Sequence, residues 1–295
     1  MAARLHLHLV PLLAGLLASV VGLLLVEPTA STPTTGGQAR DRGPLPGDTV
    51  PASSSPEGPD RWKLVFSDEF TGTRLDLDTW RPNWLAGSDH EITKPVNSAE
   101  LAAYDPRQVR VRNGSLRLRA VARRTTDNRG RTYPYASGLV QSHADRRFRY
   151  GYVEARIFLR ANSDPSLGRV GSCGPNWPAF WLNGDDHPED GEIDIMECLS
   201  DDDVAWHYHW SGGSAGGHPS PWSGRMPGGG GWHTFGVDWE PGRLRFYYDG
   251  RQVGTHTTGV TGSPHYLILN NGISDPAVQV PSTLRIDYVR VWRRK

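Results

Sequence analysis

Apolar and charged residues alternate along Val109–Ala120, and the alternation runs through Asn113-Gly114, a pair that tolerates the positive φ angles of a two-residue β-turn. The segment predicts a hairpin with one buried face. Leu244–Val253 repeats the device around Asp249-Gly250, and Leu284–Trp292 is another alternating stretch. No segment holds a sustained 3.6-residue period between capping residues, so helices are not expected as major elements. Short half-buried strands separated by turn signals predict an all-β fold, an antiparallel β-sandwich of jelly-roll type with one sheet face free to form a cleft. The Gly- and Pro-rich stretch Gly212–Gly231 is expected to be a surface loop between strands. Asn113-Gly-Ser is formally a glycosylation acceptor, but its turn role accounts for it.

Two segments before residue 61 read differently. Arg4 precedes an apolar run, Leu9–Val26, and Pro28-Thr-Ala30 offers small residues for cleavage, so residues 1–30 read as a secretory signal, an uncleaved membrane anchor being the alternative. Residues 31–60 are Pro, Ser, Thr and Gly with almost nothing apolar; such a segment cannot offset its own ordering entropy and reads as a disordered linker. Residues 61–295 then make one β-sandwich domain of an exported protein, secreted or extracellular.

Charge and composition narrow the function classes. Thirty-two basic residues balance thirty-two acidic ones, and no dense Lys/Arg run appears, which argues against a nucleic-acid partner. Thirty-four glycines and twenty-three prolines are too much turn chemistry for a helical bundle. The two cysteines are too few for a disulfide scaffold and too far apart for a structural zinc site.

The chemistry sits in Glu192-Ile-Asp-Ile-Met-Glu197. Ile193, Ile195 and Met196 mark a buried strand, while Glu192 and Asp194 share the other face by the period of two. In a regular strand Glu197 would point into the core, where a lone carboxylate is expensive. One extra residue at Ile195-Met196, a β-bulge, turns it back to the face of the other two acids. Three carboxyls would then line one groove, and the glutamates could approach to about 5 Å, the separation used by retaining glycosidases. Mutual repulsion makes at least one of them hold its proton more tightly than in water. In this reading Glu197 donates the proton, Glu192 is the nucleophile, and Asp194 shares a proton with Glu192. Bare spacing also suits a solvated acidic strand edge or a calcium site.

The surroundings carry a resemblance. The strand Glu192–Glu197, together with Phe66–Phe70, Leu75-Asp76, Asp78–Trp80, Ser137-Gly138, Tyr150–Ile157, Trp177–Leu182, Trp232–Trp239 and Asp287–Trp292, resembles glycoside hydrolase family 16, secreted sandwich enzymes that cleave internal β-linkages of polysaccharides. The resemblance implies Glu192 as nucleophile, Asp194 as its assistant, Glu197 as acid/base, and retention of configuration. It implies a groove-lining role for Trp181 and a place for Asn97, with Glu100, at the non-reducing side of the cleft. It also implies a structural calcium near Asp287, with carbonyl oxygens near Gly114 and the Glu69 region, ligands of a type that suits calcium; catalysis itself requires no cofactor. The laminarin-cleaving branch typically has Arg after Ser-Gly and Trp-Pro before the signature. Here Leu139 and His187-Pro188 stand there, so β-1,3-glucan and β-1,3-1,4-glucan are both defensible substrates.

Indole faces pack on pyranose C–H surfaces, which makes Trp177, Trp181, Trp206, Trp210 and Trp239 candidates for sugar contact, with half of such residues expected in the core. His207 and His209 share one face of the strand after the signature, within reach of Glu197 or the sugar. Cys173 and Cys198 flank the hairpin formed by Trp177–Leu182 and Glu192–Glu197; with Trp177 opposite Met196, the two cysteines face each other closely enough for a disulfide, which an exported protein can keep. Taken together, these residues predict a monomeric retaining endo-glycoside hydrolase acting on a β-glucan, with no stable protein partner. The rival readings are a transglycosylase using the same site and a sandwich that only binds glucan.

Overall fold

The computed structural model describes residues 61–142, 146–159, 176–198, 204–217, 231–274 and 278–295. The expected signal and linker, residues 1–60, lie outside them, as does Cys173.

Strands are numbered in chain order. Six form one sheet: β8 (Leu139–Gln141), β10 (Trp177–Asn183), β11 (Glu192–Cys198), β12 (Val204–Trp210), β13 (Gly213–Gly217) and β17 (Tyr266–Gly272). Across this sheet they run β13-β12-β11-β10-β17-β8. Ten make the second sheet: β1 (Trp62–Asp68), β2 (Ala102–Tyr104), β3 (Val109–Val111), β4 (Leu116–Val121), β7 (Tyr135–Ser137), β9 (Gly151–Leu159), β14 (Gly231–Glu240), β15 (Arg243–Tyr248), β16 (Arg251–His256) and β18 (Ser282–Arg294). A small ribbon pairs β5 (Thr125–Thr126) with β6 (Thr132–Tyr133). Among the described strands the pairings are antiparallel except β2 with β7. The all-β antiparallel expectation holds.

Both expected hairpins form where the turn residues place them. Val111 pairs with Leu116 across Asn113 (φ 54°) and Gly114 (φ 65°), and Tyr248 pairs with Arg251 across Asp249 (φ 45°) and Gly250 (φ 72°). Positive φ at both central positions matches the twist of the flanking strands. The third alternating segment lies within β18 at the middle of the larger sheet, between β9 and β4. One expectation is corrected: Gly213–Gly217, assigned to a loop, is an edge strand paired with β12. Small residues pack closely there: a Cβ on Gly216 would stand 2.0 Å from the His207 ring, so only glycine lets that ring lie across β13.

The core lies between the sheets. Phe180 and Leu182 of β10, Ile193, Ile195 and Met196 of β11, and Leu267 and Leu269 of β17 meet Val153, Ala155 and Ile157 of β9 and Phe235, Val237 and Trp239 of β14. The intervening positions Ala179, Trp181 and Asn183 face the other side and line a cleft. Period-two alternation thus assigns one face of the six-stranded sheet to packing and leaves the other for chemistry.

Candidate active site

The cleft has a volume of about 290 Å³. Its floor is Ala179, Trp181 and Asn183 of β10, Glu192, Asp194 and Glu197 of β11, and Asn270 of β17; Trp84, Asn97, Glu100, Trp177 and His187 stand around it, with no lysine or arginine among the described lining residues. The bulge expected from the spacing is present. On one side of β11, Trp181 pairs with Asp194 and Phe180 with Met196, leaving Ile195 without a partner. On the other side Asp194 pairs with His207 and Glu197 with Ala205, again one residue more on β11. The extra residue keeps Ile195 and Met196 in the core and returns Glu197 to the cleft.

Each carboxylate has its own histidine. His187 Nε2 lies 3.2 Å from Glu192 Oε2, His209 Nε2 lies 3.3 Å from Asp194 Oδ2, and His207 Nδ1 lies 2.7 Å from Glu197 Oε2. The second oxygen of Glu197 accepts a 2.6 Å hydrogen bond from Trp177 Nε1, so both oxygens of this acid are oriented. Asp194 is buried, its Oδ2 has no hydrogen-bond partner, and each glutamate brings an oxygen within 4.8 Å of it. Burial first, and then the charge of Asp194, push the Glu192 carboxyl up to about 8. Burial and the nearby Glu197 push Asp194 well above the ordinary carboxylate range. A proton taken up near neutrality therefore belongs to the Glu192–Asp194 pair. At His187 burial, followed by the neighbouring His209, moves the imidazole down, toward the neutral form.

A second network holds the far wall. Trp181 Nε1 donates to Asn270 Oδ1 at 2.8 Å, Asn270 Nδ2 donates to the Tyr104 hydroxyl at 3.0 Å, and that hydroxyl donates to Glu100. Burial moves Glu100 up to about 7. Trp84 stacks on Trp181, ring centroids 5.8 Å apart, widening the indole surface on that side.

Of the residues singled out from the sequence, Trp177, Trp181 and Asn97 line the cleft, and His207 and His209 bear on its acids. Asn97 turns its Oδ1 back to the Ala99 amide at 2.9 Å. Trp206 is corrected: it faces the core, stacked on Phe246 at 4.3 Å, because it is out of phase with His207 and His209. Trp210 and Trp239 also pack on the core. The hairpin register differs from the one assumed for the cysteines: Ala179 pairs with Glu197 and Phe180 with Met196, so Trp177 is not opposite Met196. Cys198 is buried in the core, and there is no free cysteine among the described residues.

The calcium ligands do not fit an ion. Asp287 accepts a 2.8 Å bond from Arg156, and both oxygens of Glu69 are held by Arg290 at 2.9 and 2.7 Å, so guanidinium groups stand where a cation would bind. Gly114 serves as the turn residue described above. Trp84, Asn183 and Asn270 were not singled out. Asn183 was within reach of the pattern, since it shares its phase with Trp181; Trp84 and Asn270 come to the cleft through tertiary packing that no local period signals.

Residues 98–267 match the family described as Glycosyl hydrolases family 16. The chain belongs to this family. It is 26% identical over 271 residues to "Glucan endo-1,3-beta-glucosidase A1" of Niallia circulans, covering 79% of this chain and 38% of that relative. Its fold is similar to the catalytic domain of an endo-1,3-beta-glucanase (laminarinase) from Thermotoga petrophila, with TM-score 0.63, 26% identity, and coverage of 79% of this chain and 98% of that one. It is likewise similar to SCLam, a non-specific endo-beta-1,3(4)-glucanase of the same family, with TM-score 0.63, 28% identity, and coverage of 80% and 93%. The chain spans 38%, 34% and 52% of the length of the first three curated relatives it matches.

Proposed function

We propose that this chain is a secreted, retaining endo-β-glucanase acting on β-1,3- or β-1,3-1,4-glucan. The observation that carries the reading is the bulge in β11, which places Glu192, Asp194 and Glu197 on one cleft face. Glu192 attacks the anomeric carbon while Glu197, held by Trp177 and His207, protonates the leaving oxygen. The glycosyl–enzyme ester forms on Glu192, and Glu197, now a carboxylate, takes a proton from the water that releases the sugar. Asp194 keeps the proton shared with Glu192 while the nucleophile is ionised, which lowers the repulsion between the two acids. No cofactor is needed.

Trp181, Trp177 and Trp84 offer apolar faces for sugar rings, and the described lining residues, which include no lysine or arginine, favour a neutral glycan. A β-1,3-glucanase and a non-specific β-1,3(4)-glucanase both appear among the similar proteins, so both linkages stay in the reading. Export by the N-terminal signal, a Cys173–Cys198 disulfide and a monomeric state complete the proposal. Reducing-end release across laminarin, mixed-linkage barley glucan, curdlan, xyloglucan and agarose tests it. Activity on the first three, abolished in Glu192→Ala with polysaccharide binding retained, is expected; release unchanged in that variant, or confined to agarose or xyloglucan, contradicts it. Product lengths from one defined oligosaccharide separate hydrolysis from transglycosylation.

A further inference from the structure

We propose that the nucleophile end of the cleft is a binding site for a first-row divalent transition ion of the zinc class, held by Glu192, Asp194 and His209, with His187 behind Glu192. An ion there would inhibit, because it would occupy Glu192; this consequence rests on the function proposed above, whereas the binding itself does not.

The first observation is an unfilled acceptor. Asp194 is 3% exposed, and its Oδ2 has no hydrogen-bond partner, although His209 Nε2 lies 3.3 Å away. That spacing is long for a charge-assisted hydrogen bond, which prefers roughly 2.7–2.9 Å. It is close to the separation of about 3.3 Å between two ligand atoms each about 2.0–2.1 Å from one tetrahedral ion. The second observation is the company this pair keeps. Glu192, Asp194 and His209 bring ligand atoms within 4.8 Å of one another, and His187 Nε2 stands 3.2 Å from Glu192 Oε2. The two imidazoles are about two-fifths exposed, at 44% for His187 and 38% for His209, so an ion can enter from the cleft.

Ligand chemistry selects the ion. One imidazole nitrogen and two carboxylates, with a fourth position left for water, suit Zn²⁺, Co²⁺ or Cu²⁺, whereas Ca²⁺ and Mg²⁺ call for six or more oxygens. The neighbouring group of Asp194, Glu197 and His207 is a poorer choice, since His207 Nδ1 and Glu197 Oε2 already close a 2.7 Å hydrogen bond that an ion would have to break.

Calorimetric titration of the chelator-treated full chain with Zn²⁺, and separately with Ca²⁺, tests the site, with His209→Gln and His187→Gln as variants and thermal melts to establish that each is folded. The expected result is saturable Zn²⁺ binding that weakens by at least about tenfold in His209→Gln, a loss of the size seen even for groups behind metal ligands. His187→Gln should weaken it less, Ca²⁺ should give no saturable heat, and Co²⁺ should give visible absorption bands of a tetrahedral centre that disappear in His209→Gln. Absence of Zn²⁺ saturation, or equal affinity in wild type and in both variants, overturns the proposal. Zn²⁺ binding at these residues in a protein that releases no sugar from any glucan would leave the metal site standing and remove the enzymatic reading. Glucan hydrolysis unaffected by saturating Zn²⁺ would refute the inhibitory role.

Discussion

The two sheets bury acids in opposite ways. On the ten-stranded sheet each of three carboxylates meets guanidinium: Asp287 with Arg156, Asp238 with Arg245 and Arg294, and Glu240 with Arg243; Glu69, just past the end of β1, meets Arg290. On the six-stranded sheet Glu192, Asp194 and Glu197 face one another, and their basic partners are histidines. A guanidinium keeps its charge at every accessible pH, whereas an imidazole can change charge near neutrality and exchange a proton with its neighbour. The same residue class is structural on one face and chemical on the other. Glu154 sharpens the contrast. It lies fully buried on the larger sheet between the Tyr152 and Tyr288 hydroxyls, and burial pushes it up to about 7, yet it has no exposure to solvent through which a substrate could reach it. A raised pKa alone does not make a catalyst; access and a facing partner are also required.

The largest effect should come from the chemical face. Glu197→Gln should lower turnover on glucan by about 10²–10⁴-fold, the range for a general acid, and lose far less on an aryl β-glucoside whose leaving group needs no proton. Steady-state kinetics on both substrates decide this; equal losses would contradict the role. On the structural face, Asp238→Ala removes a buried acid shared by two arginines, and urea unfolding should show a loss of about 1–3 kcal/mol, with kcat on glucan preserved. A fall in kcat without a fall in stability would break the comparison.

The smallest expected effect is a pH slope. Glu192, Glu100 and Glu154 have folded-state values of about 8, about 7 and about 7, above the ordinary value of 4.5. Between those limits the folded chain holds more protons than the unfolded one, so these groups make stability fall as pH rises from about 4.5 to about 8. Glu154→Gln should flatten this slope up to about pH 7 and leave glucan turnover as it is. An unchanged slope in melting temperature against pH would show that Glu154 is ionised throughout.

Much of this contrast was legible in residue order. Alternation and the Asn113-Gly114 and Asp249-Gly250 turns placed the hairpins, and the misfit of Glu197 with a period of two required the bulge that β11 contains. Local patterns could not reveal the arginine partners of Glu69 and Asp287, since Arg290 is 221 residues from Glu69 and Arg156 is 131 from Asp287. The phase of β12 separated His207 and His209 from Trp206 correctly in principle; the affinity of indole for sugars led away from it. The cysteine register failed because sequence spacing alone does not fix strand pairing: the assumed pairing of Trp177 with Met196 is displaced from the observed pairing of Phe180 with Met196.

The most direct test of the central claim is covalent trapping. Incubation with an activated 2-deoxy-2-fluoro glucan oligosaccharide slows release of the intermediate, and mass spectrometry of the proteolysed protein locates the sugar. The account predicts one glycosyl group esterified to Glu192. A label on Glu197 or Asp194, or no label together with products of inverted anomeric configuration, would contradict it.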